Sequence, residues 1–249
     1  MKISLLTVSF NSAATIKDTI ESIRSQDYKN IEYIVVDGNS KDGTIEIIKS
    51  YDSFISKWIS EPDKGIYDAM NKALQLATGD VVGILNSDDF YFNNQILSQI
   101  ANAFLDSSVD VVFGDLVFLD PNNLEKVVRK YSSAKWSPDK FAKGFMPAHP
   151  TVFVRRKYYE QFGLFKTDYK IAADYELLIR FLYVHKLKYK YLPITMVKMR
   201  RGGVSSKNWK SNFILNDEII RACRENGIKT NVFKVYPKYF VKLFELFTS

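Results

Sequence analysis

The chain has 249 residues and a net charge of +7, and 46% of its residues are hydrophobic. A chain of this length and composition can bury one large core with a small appendage, which excludes an intrinsically disordered protein. No apolar stretch reaches the roughly 20 residues that a membrane-spanning helix requires, and residues 1–10 are too short and too strand-like for a signal peptide. We therefore expect a cytoplasmic protein. Its single cysteine, Cys223, is expected to pack in the core.

The positive charge is concentrated towards the C-terminus. Residues 186–249 contain 14 Lys and Arg against 4 Asp and Glu and so carry +10, which leaves −3 on residues 1–185. Such a segment favours an anionic partner, either lipid head groups or nucleic acid, and the alternative is a solvated basic face without a partner. No sequence signature of a nucleic-acid-binding module is present, so we do not expect nucleic acid as a partner.

The first half of the chain alternates between strand and helix patterns. Strands are predicted at residues 3–10, 31–36, 55–60 and 81–85. Apolar residues three and four positions apart predict a helix after each of these strands. The order β-α-β-α predicts parallel strands joined by right-handed crossovers. Residues 81–85 form an apolar run after a Gly-Asp turn, which predicts a strand buried on both faces inside a parallel sheet.

From residue 109 onwards the alternation breaks down, which predicts a mixed sheet. Strands are predicted at residues 109–119, 125–131, 151–154 and 189–199, and helices at 173–184 and 209–226. Gly227 is typical of the residue that ends a helix. Residues 231–247 place aromatic residues among lysines, which predicts an amphipathic surface helix that rests on anionic lipid. The alternative is packing on the domain, and Pro237 interrupts the pattern.

Polar residues follow the predicted strands at the points where a ligand is expected. The strand at 81–85 runs into Asn86-Ser87-Asp88-Asp89, and open α/β sheets bind ligands at the carboxyl ends of their strands. Two adjacent carboxylates repel each other and require a cation or a shared proton. An incomplete shell of hard oxygen ligands suits Mg²⁺ or Mn²⁺, which keep positions open for diphosphate oxygens. The alternative is that residues 87–89 turn the chain and cap the next helix.

Asp37 leaves the second predicted strand in the same way. We therefore expect its carboxylate at the same edge of the sheet, where it can accept hydrogen bonds from a uracil or guanine base. The alternative is a turn formed by residues 37–40. Asp42, immediately before Gly43, is expected to cap the next helix.

Five segments carry a family resemblance: TVSFN at 7–11, VVDGNSKDGT at 35–44, SEPDKGIYDAMNKAL at 60–74, GDVVGILNSDD at 79–89 and AADYELLIR at 172–180. In this order they resemble the motifs of family 2 inverting glycosyltransferases, in particular the subgroup that builds bacterial surface polysaccharides. The resemblance implies an α/β GT-A fold over residues 1–205, with a nucleotide-binding half at 1–108 and an acceptor-binding half at 109–205. Residues 206–249 would form a basic, aromatic helical extension.

The resemblance also implies a nucleotide-diphosphate sugar donor, expected to be UDP-linked, a lipid-linked saccharide acceptor, and Mn²⁺ or Mg²⁺. By position, Asp37 would contact the base, and Asp63 and Lys64 would close over the base and phosphate. Asp88 would bind the metal with Asp89 beside it. The remaining donor-binding candidates are Ser9, Asn11, Asn71, Asn86 and Arg200.

Two of these candidates have alternative roles. Asn86 stands where the commoner motif has Asp, and because an amide is a poorer metal ligand than a carboxylate, it could instead bond the ribose. Arg200 begins a segment that resembles a flexible loop of the family, where an arginine can clamp a diphosphate. The alternative for residues 200–205 is a solvated turn.

Asp174 matches the catalytic base of the family, with Ala173 where many members have Glu. Inversion requires a carboxylate opposite the leaving diphosphate and within hydrogen-bond reach of the acceptor hydroxyl. The alternative is a helix N-cap, where nearby amides would lower the pKa of Asp174. Glu176 is the fallback base. His149 lies in a loop and could bind the metal or the acceptor, or be structural.

Two other function classes compete with a glycosyltransferase. A non-catalytic nucleotide-sugar or glycan-binding subunit stays open because of the departures at Asn86 and Ala173. A nucleotidyltransferase would require a Gly-rich N-terminal phosphate loop with a basic cluster, and the sequence has none.

Overall fold

The computed structural model describes residues 1–200 and 209–237, without the side chains of residues 209 and 210. The first half alternates strand and helix as predicted. Its elements are β1 (Ile3–Ser9), α1 (Ile16–Arg24), β2 (Ile31–Asp37), α2 (Thr44–Ser50), β3 (Lys57–Ser60), α3 (Ile66–Leu76) and β4 (Val81–Ile84). The predicted strands and helices are confirmed, with bounds that differ by a few residues.

The second half combines strands, helices and short helical turns. Its elements are β5 (Asp89–Tyr91), α4 (Ile96–Ala103), β6 (Val111–Asp120), β7 (Asn123–Tyr131), β8 (Phe153–Arg155), α5 (Lys157–Phe162), α6 (Ala173–Ile179), β9 (Tyr189–Arg200), α7 (Trp209–Glu225) and α8 (Val232–Val235). A π-helical turn, Arg180–Val184, continues α6. β5 and α5 were not predicted from the sequence, because three to six residues are too few to show a period.

Within the described residues, nine strands form one sheet. β3, β2, β1 and β4 lie side by side and run parallel. Beyond β4 the sheet is mixed, as predicted: β8 is antiparallel to β4 and β6, β9 is parallel to β6, and β5 is antiparallel to β9. β4 is buried on both faces as expected. It has a parallel neighbour, β1, on one side and an antiparallel neighbour, β8, on the other, so it lies where the parallel part of the predicted, mostly parallel sheet ends.

The sheet carries a core on each face. Leu5 of β1 packs with α1, α2 and α4, whereas Leu6 faces the cluster formed with α3, α6 and α7. Successive residues of a strand point to opposite faces, so one strand supplies both cores. A sheet covered by helices on both faces confirms the predicted α/β class.

The C-terminal helix α7 packs on the rest of the protein. Ile219, Ala222 and the buried Cys223 belong to the same core cluster as α6. Gly227 has φ of +75°, and the N–H of Ile228 donates to the carbonyl of Cys223 at 2.8 Å, so the helix ends as predicted. The division at residues 205 and 206 stays a prediction. Residues 238–247 of the predicted amphipathic helix lie outside the described residues.

A buried carboxylate joins three segments at the edge of the sheet where β1 and β2 begin. Glu32 is 4% exposed and accepts hydrogen bonds from Ser4 Oγ at 2.6 Å and from Thr78 N at 2.7 Å. It also pairs with Lys2 Nζ at 3.1 Å. Burial opposes the ionisation of Glu32, but the hydrogen bonds outweigh burial and lower its pKa to about 2.

We predict that Glu32→Gln destabilises the fold at neutral pH and much less in acid. The pKa of Glu32 falls from 4.5 to about 2 on folding, which corresponds to about 3 kcal/mol of free energy of unfolding. Because the folded pKa is lowered, this contribution is present above pH 4.5 and is lost as the pH falls towards 2. Urea denaturation at pH 7 and at pH 3 measures it.

The exposed Glu46 of α2 provides the matched control. Glu46→Gln should leave the free energy of unfolding within about 0.5 kcal/mol of wild type at both pH values. An equal loss of stability at pH 7 and pH 3 in Glu32→Gln would contradict the assigned role of the ionised carboxylate.

Candidate active site

The ends of four parallel strands meet at one edge of the sheet, as the sequence predicted. Ser9 is paired with Asp37, and Asp37 with Ser60, so the last residues of β1, β2 and β3 lie side by side. Asn86-Ser87-Asp88-Asp89 follows β4 at the same edge. Ser12 Oγ lies 2.9 Å from Ser87 Oγ, which joins the segment after β1 to the segment after β4.

Asp37 is fully buried at the centre of this edge. It accepts hydrogen bonds from Ser9 Oγ at 3.0 Å, from Ser60 Oγ at 2.7 Å, and from both the N–H and the Oγ of Ser40. The carboxylate therefore fixes the ends of β1, β2 and β3 relative to one another. The Ser9 hydroxyl therefore already has a hydrogen-bond acceptor within the protein, Asp37. Contact of either residue with a nucleotide base stays a prediction.

Two non-glycine residues beside Asp37 adopt left-handed backbone conformations. Asn11 has φ of +49° and Asn39 has φ of +64°. The Asn11 side chain accepts the N–H of Lys41 at 3.0 Å, and its own N–H donates to Ser40 Oγ at 2.8 Å. Such conformations cost energy and cluster at functional sites. The segments after β1 and β2 are thus held together in a strained arrangement.

Asp63 and Lys64 follow β3, and Asp63 lies against the end of β2. Asp63 Oδ1 accepts the N–H of Gly65 at 2.9 Å. A Cβ atom placed on Gly38 would lie 2.6 Å from Asp63 Oδ2, so glycine at position 38 allows the close approach of Asp63. Lys64 is exposed, and its main-chain N–H donates to Asp68 Oδ2 at 2.9 Å. Both predicted residues are therefore at the candidate site.

Asp42 has a structural role, as expected. Its Oδ1 accepts the N–H of Thr44, the first residue of α2, at 3.1 Å, and its Oδ2 accepts the N–H of Ala13 at 3.0 Å. The same carboxylate therefore supports the start of α2 and the segment after β1.

The Asn86–Asp89 segment is acidic and incompletely bonded. Asp89 is fully buried and Asp88 partly so. Asn86 Nδ2 donates to Asp89 Oδ2 at 3.2 Å, whereas the buried Oδ1 atoms of Asn86 and Asp89 accept no hydrogen bond from the part of the chain that the structure describes. Burial raises the pKa of both aspartates, and the charge of Asp88 raises that of Asp89 further. The alternative that these residues cap a helix is wrong, because β5 begins at Asp89.

These side chains fit a divalent cation. Two adjacent carboxylates with raised pKa values and two buried oxygens without donors form a set of hard ligands that a cation would satisfy. Across residues 1–200 and 209–237, no three His, Cys, Asp or Glu side chains converge as a complete metal site. His149 therefore does not join Asp88 and Asp89 in one coordination group, and other ligands would have to complete the shell.

Arg200 lies at this acidic segment. Its Nη1 donates to the main-chain carbonyl of Asp88 at 2.9 Å, and its Nη2 pairs with Asp18. The guanidinium lies 5.0 Å above the ring of Phe90. The side chain is 15% exposed, so Arg200 is an ordered part of β9 and not a solvated turn. Residues 201–205 of the predicted loop lie outside the described residues.

Asp174 lies in the first turn of α6. Its Oδ1 accepts the N–H of Tyr175 at 2.8 Å and lies 3.5 Å from the hydroxyl of Tyr67. Burial raises the pKa of the Asp174 carboxyl, and the neighbouring His149 opposes the increase. The N-cap is Ala172, so the alternative that Asp174 is a cap with a lowered pKa was wrong. A partly buried carboxylate with a raised pKa suits a general base.

His149 lies beside Asp174. Burial lowers the pKa of the imidazole, and the charge of Asp174 opposes this. The ring packs edge-on against Phe165, with 5.9 Å between ring centroids. The arrangement places His149 at the candidate base and not at the acidic segment.

Two other candidates are held by contacts within the protein. Asn71 forms two hydrogen bonds with the main chain of Phe165, at 2.8 and 3.0 Å, and so anchors the loop before α6. Glu176 is fully buried and pairs with Arg180 at 2.9 Å and Lys166 at 3.0 Å. Neither the donor-binding role of Asn71 nor the role of Glu176 as fallback base gains support from these contacts.

Sequence reasoning missed several residues of the site. Tyr67 lies within residues 60–74, one of the segments that resemble family motifs, and its hydroxyl donates to the carbonyl of Ile171 at 2.5 Å. Asp18, which lies in α1, pairs with Arg200. Glu218 of α7 bonds the main chain just before α6. Only Tyr67 had a local signal, since Asp18 and Glu218 lie far along the chain from their partners.

The comparisons with known proteins agree on a family. The family model described as glycosyl transferase family 2 matches residues 4–163. An uncharacterised glycosyltransferase of Mycobacterium tuberculosis is 31% identical over 180 residues, which are 72% of this chain and 68% of that relative. EpsE of Bacillus subtilis, described as a glycosyltransferase, is 26% identical over 251 residues, covering 98% of this chain and 89% of EpsE.

Solved structures share the fold at low sequence identity. S. aureus TarS 1–349 in complex with UDP-GlcNAc matches with a TM-score of 0.71 and 19% identity over 89% of this chain and 66% of that one. The chain spans 40% of the longer TarS structure. A mannosyltransferase from Pyrobaculum calidifontis with GDP-Man and Mn²⁺ matches with a TM-score of 0.65 and 21% identity, over 88% of this chain and 61% of the mannosyltransferase.

The predicted GT-A fold is thus confirmed by the structural neighbours. Because the family model covers more than half of the sequence, and a relative more than 30% identical agrees with it, the chain belongs to glycosyl transferase family 2.

Proposed function

We propose that the protein transfers a sugar, with inversion, from a nucleotide-diphosphate donor to a saccharide acceptor. The observation that carries this proposal is the presence of two distinct carboxylate sites at one edge of the sheet. Asp88 and Asp89, after β4, form a segment that suits a cation, whereas Asp174 lies at a separate position beside Tyr67. Tyr67 is the second residue of α3, which begins just beyond the end of β3. One site suits the diphosphate and the other suits the acceptor.

The donor is proposed to be a UDP-sugar. UDP-GlcNAc and GDP-Man are the ligands in two solved structures that share the fold, which supports a nucleotide sugar as the class. Asp63 and the exposed Lys64 lie beside the end of β2, in position to close over a base and a phosphate. Asn11 and Ser9 border the same space.

Asp88 and Asp89 are proposed to hold Mn²⁺ or Mg²⁺, with Asn86 beside them. When bound, such a cation stabilises the negative charge that develops on the departing diphosphate. Arg200 supplies a fixed positive charge next to the same segment. This arrangement suits an anionic ligand, because a divalent cation with open coordination positions would accept oxygens of a diphosphate.

Asp174 is proposed to act as the general base. Its carboxylate accepts the proton of the acceptor hydroxyl as that oxygen forms a bond to the anomeric carbon. The bond between the anomeric carbon and the diphosphate oxygen breaks, and the nucleoside diphosphate leaves with the bonding electron pair. The Tyr67 hydroxyl remains protonated, since burial and the charge of Asp174 raise its pKa well above the ordinary value.

The acceptor is proposed to be a lipid-linked saccharide used in bacterial surface polysaccharide synthesis. A relative that is 26% identical, from Mycobacterium bovis, is named a PGL/p-HBAD biosynthesis glycosyltransferase, which supports a role in bacterial glycan biosynthesis. Within residues 1–200 and 209–237, no helix is both long and apolar enough to cross a membrane. Phe233 of α8 is 85% exposed beside Lys234. We propose that this surface rests on the cytoplasmic face of an anionic membrane.

Asp88→Asn is predicted to abolish metal-dependent nucleotide binding. Wild-type protein titrated calorimetrically with UDP and with GDP should bind one of them, and Mn²⁺ should strengthen that binding. The variant should lose roughly tenfold or more in affinity with Mn²⁺ present and little without it. Asp217→Asn, at an exposed position of α7, is the control for loss of a charge. If wild-type protein binds neither nucleotide, the proposal of a nucleotide-diphosphate sugar as donor is wrong, and a glycan-binding subunit is favoured.

Asp174→Asn is predicted to retain nucleotide binding and to lose turnover by roughly 10²- to 10⁴-fold. Release of nucleoside diphosphate from a panel of UDP- and GDP-sugars, with water as acceptor, measures turnover. Because burial raises the pKa of Asp174 and the base must be ionised, the wild-type rate should fall as the pH drops through that raised pKa. Wild-type turnover in the variant would show that another group is the base.

Phe233→Ser is predicted to weaken binding to vesicles that contain phosphatidylglycerol by roughly tenfold, since burial of a phenylalanine side chain is worth about 1.5–3 kcal/mol. Co-sedimentation at two salt concentrations measures the apolar and the electrostatic parts. Leu105→Ser provides the control, because Leu105 is 78% exposed and lies outside the basic C-terminal part. Equal binding to neutral phosphatidylcholine vesicles would exclude the proposed charge recognition.

A further inference from the structure

A carboxylate of α7 binds the main chain immediately before the candidate base. Glu218 is 7% exposed. Its Oε1 accepts the N–H of Lys170 at 2.7 Å, and its Oε2 accepts the N–H groups of Ile171 and Ala172, both at 2.9 Å. The side chain of Glu218 therefore accepts three successive N–H groups of a segment that lies far from it in the sequence.

These N–H groups lead directly into α6. The first N–H groups of a helix lack helical acceptors and are usually satisfied by the side chain of the N-cap residue. The N-cap here is Ala172, and no side-chain cap bond forms. Glu218 provides negative charge and acceptors close to this helix end, where both are favourable.

The opposite side of the same segment is held by α3. The hydroxyl of Tyr67 donates to the carbonyl of Ile171 at 2.5 Å and lies 3.5 Å from Asp174 Oδ1. Residues 170–172 are thus clamped between Glu218 and Tyr67, and Asp174 follows this clamp by two residues. A shift of the clamp would move the carboxylate relative to both Tyr67 and His149.

We propose that Glu218 is a positioning residue for Asp174, and this inference rests on the proposed role of Asp174 as base. The match to the family model ends at residue 163, so this contribution from α7 lies beyond it. Glu218 does not touch the reacting atoms. It acts by fixing the main chain that carries the base.

Glu218→Gln tests the inference. The amide keeps the length of the side chain but replaces one acceptor oxygen with an NH₂ group, which cannot accept from the N–H groups that face it. We expect kcat for release of nucleoside diphosphate to fall roughly 10- to 100-fold, the effect of misplacing a catalytic group by about 1 Å. The affinity for UDP or GDP with Mn²⁺ should equal that of wild type. Glu218→Asp retains the carboxylate and should recover part of the rate.

The pKa of His149 provides a readout that does not depend on turnover. The chain has only two histidines, and His185 stacks on Phe162 elsewhere, so NMR titration can follow the His149 imidazole alone. Asp174→Asn removes the negative charge that opposes the lowering of this pKa and should reduce it further. Glu218→Gln should change it in the same direction and by less.

Two variants of α7 control for stability and charge. Glu225 pairs with Lys166 at 2.8 Å, with Arg221 at 2.7 Å and with the Tyr169 hydroxyl at 2.9 Å, all through side chains. Glu225→Gln should reduce thermal stability but leave the His149 pKa and the kcat per folded molecule near wild type. Asp217→Asn should leave all three quantities unchanged.

The outcomes separate this inference from the proposed function. If Asp174→Asn loses turnover while Glu218→Gln retains both the wild-type kcat and the wild-type His149 pKa, the positioning role is wrong and the base assignment stands. If Asp174→Asn turns over like wild type, the base assignment fails while the transferase activity stands, and the His149 titration alone decides whether Glu218 fixes Asp174. If Glu218→Gln does not fold, a Glu218→Asp variant with wild-type kcat and His149 pKa would overturn the inference.

Discussion

The candidate site depends on one buried carboxylate. Asp37 accepts four hydrogen bonds from the ends of β1 and β3 and from the turn after β2. Parallel strands bring polar termini to one edge of a sheet, but the backbone of each terminus must still be fixed. The serines at positions 9, 40 and 60 provide short donors that hold three segments to one acceptor. The strained Asn11 and the close approach of Asp63 to Gly38 both depend on this fixed arrangement.

The pKa of a buried carboxylate at one edge of the sheet is lowered, whereas the pKa values of three carboxylates at the opposite edge are raised. At the edge where β1 and β2 begin, Glu32 is surrounded by donors, and its pKa is lowered to about 2. At the other edge, burial raises the pKa values of Asp88, Asp89 and Asp174. The first arrangement contributes stability. In the second, internal hydrogen bonds offset the cost of burial only in part, so a bound cation, proton or substrate would recover energy.

The sequence allowed the elements and the position of the site to be predicted, because both depend on local patterns. The spacing of apolar residues predicted β1 to β4 and the helices that follow them. The order β-α-β-α implied that the strands are parallel and that their carboxyl ends meet at one edge of the sheet. The contacts of individual side chains could not be predicted. Asn71 bonds the main chain of Phe165, and Glu176 pairs with Arg180 and Lys166. Phe165 lies 94 residues from Asn71, and such a contact follows from tertiary packing, which no local pattern encodes. The pair of Glu176 and Arg180 is the exception, since its i,i+4 spacing is a local helical pattern.

The role of α7 follows from the same physics. The loop before Asp174, the proposed base, begins at Phe165, where Asn71 holds it, and continues to Ala172, where Glu218 and Tyr67 hold the segment. Without the contacts at residues 170–172, residue 174 would be free to shift relative to Tyr67 and His149, whereas proton transfer tolerates displacements of only about a fraction of an ångström. The third support comes from a helix that looks like an appendage in the sequence. Because Glu218 accepts three N–H groups immediately before α6, we infer that α7 helps to position the proposed base.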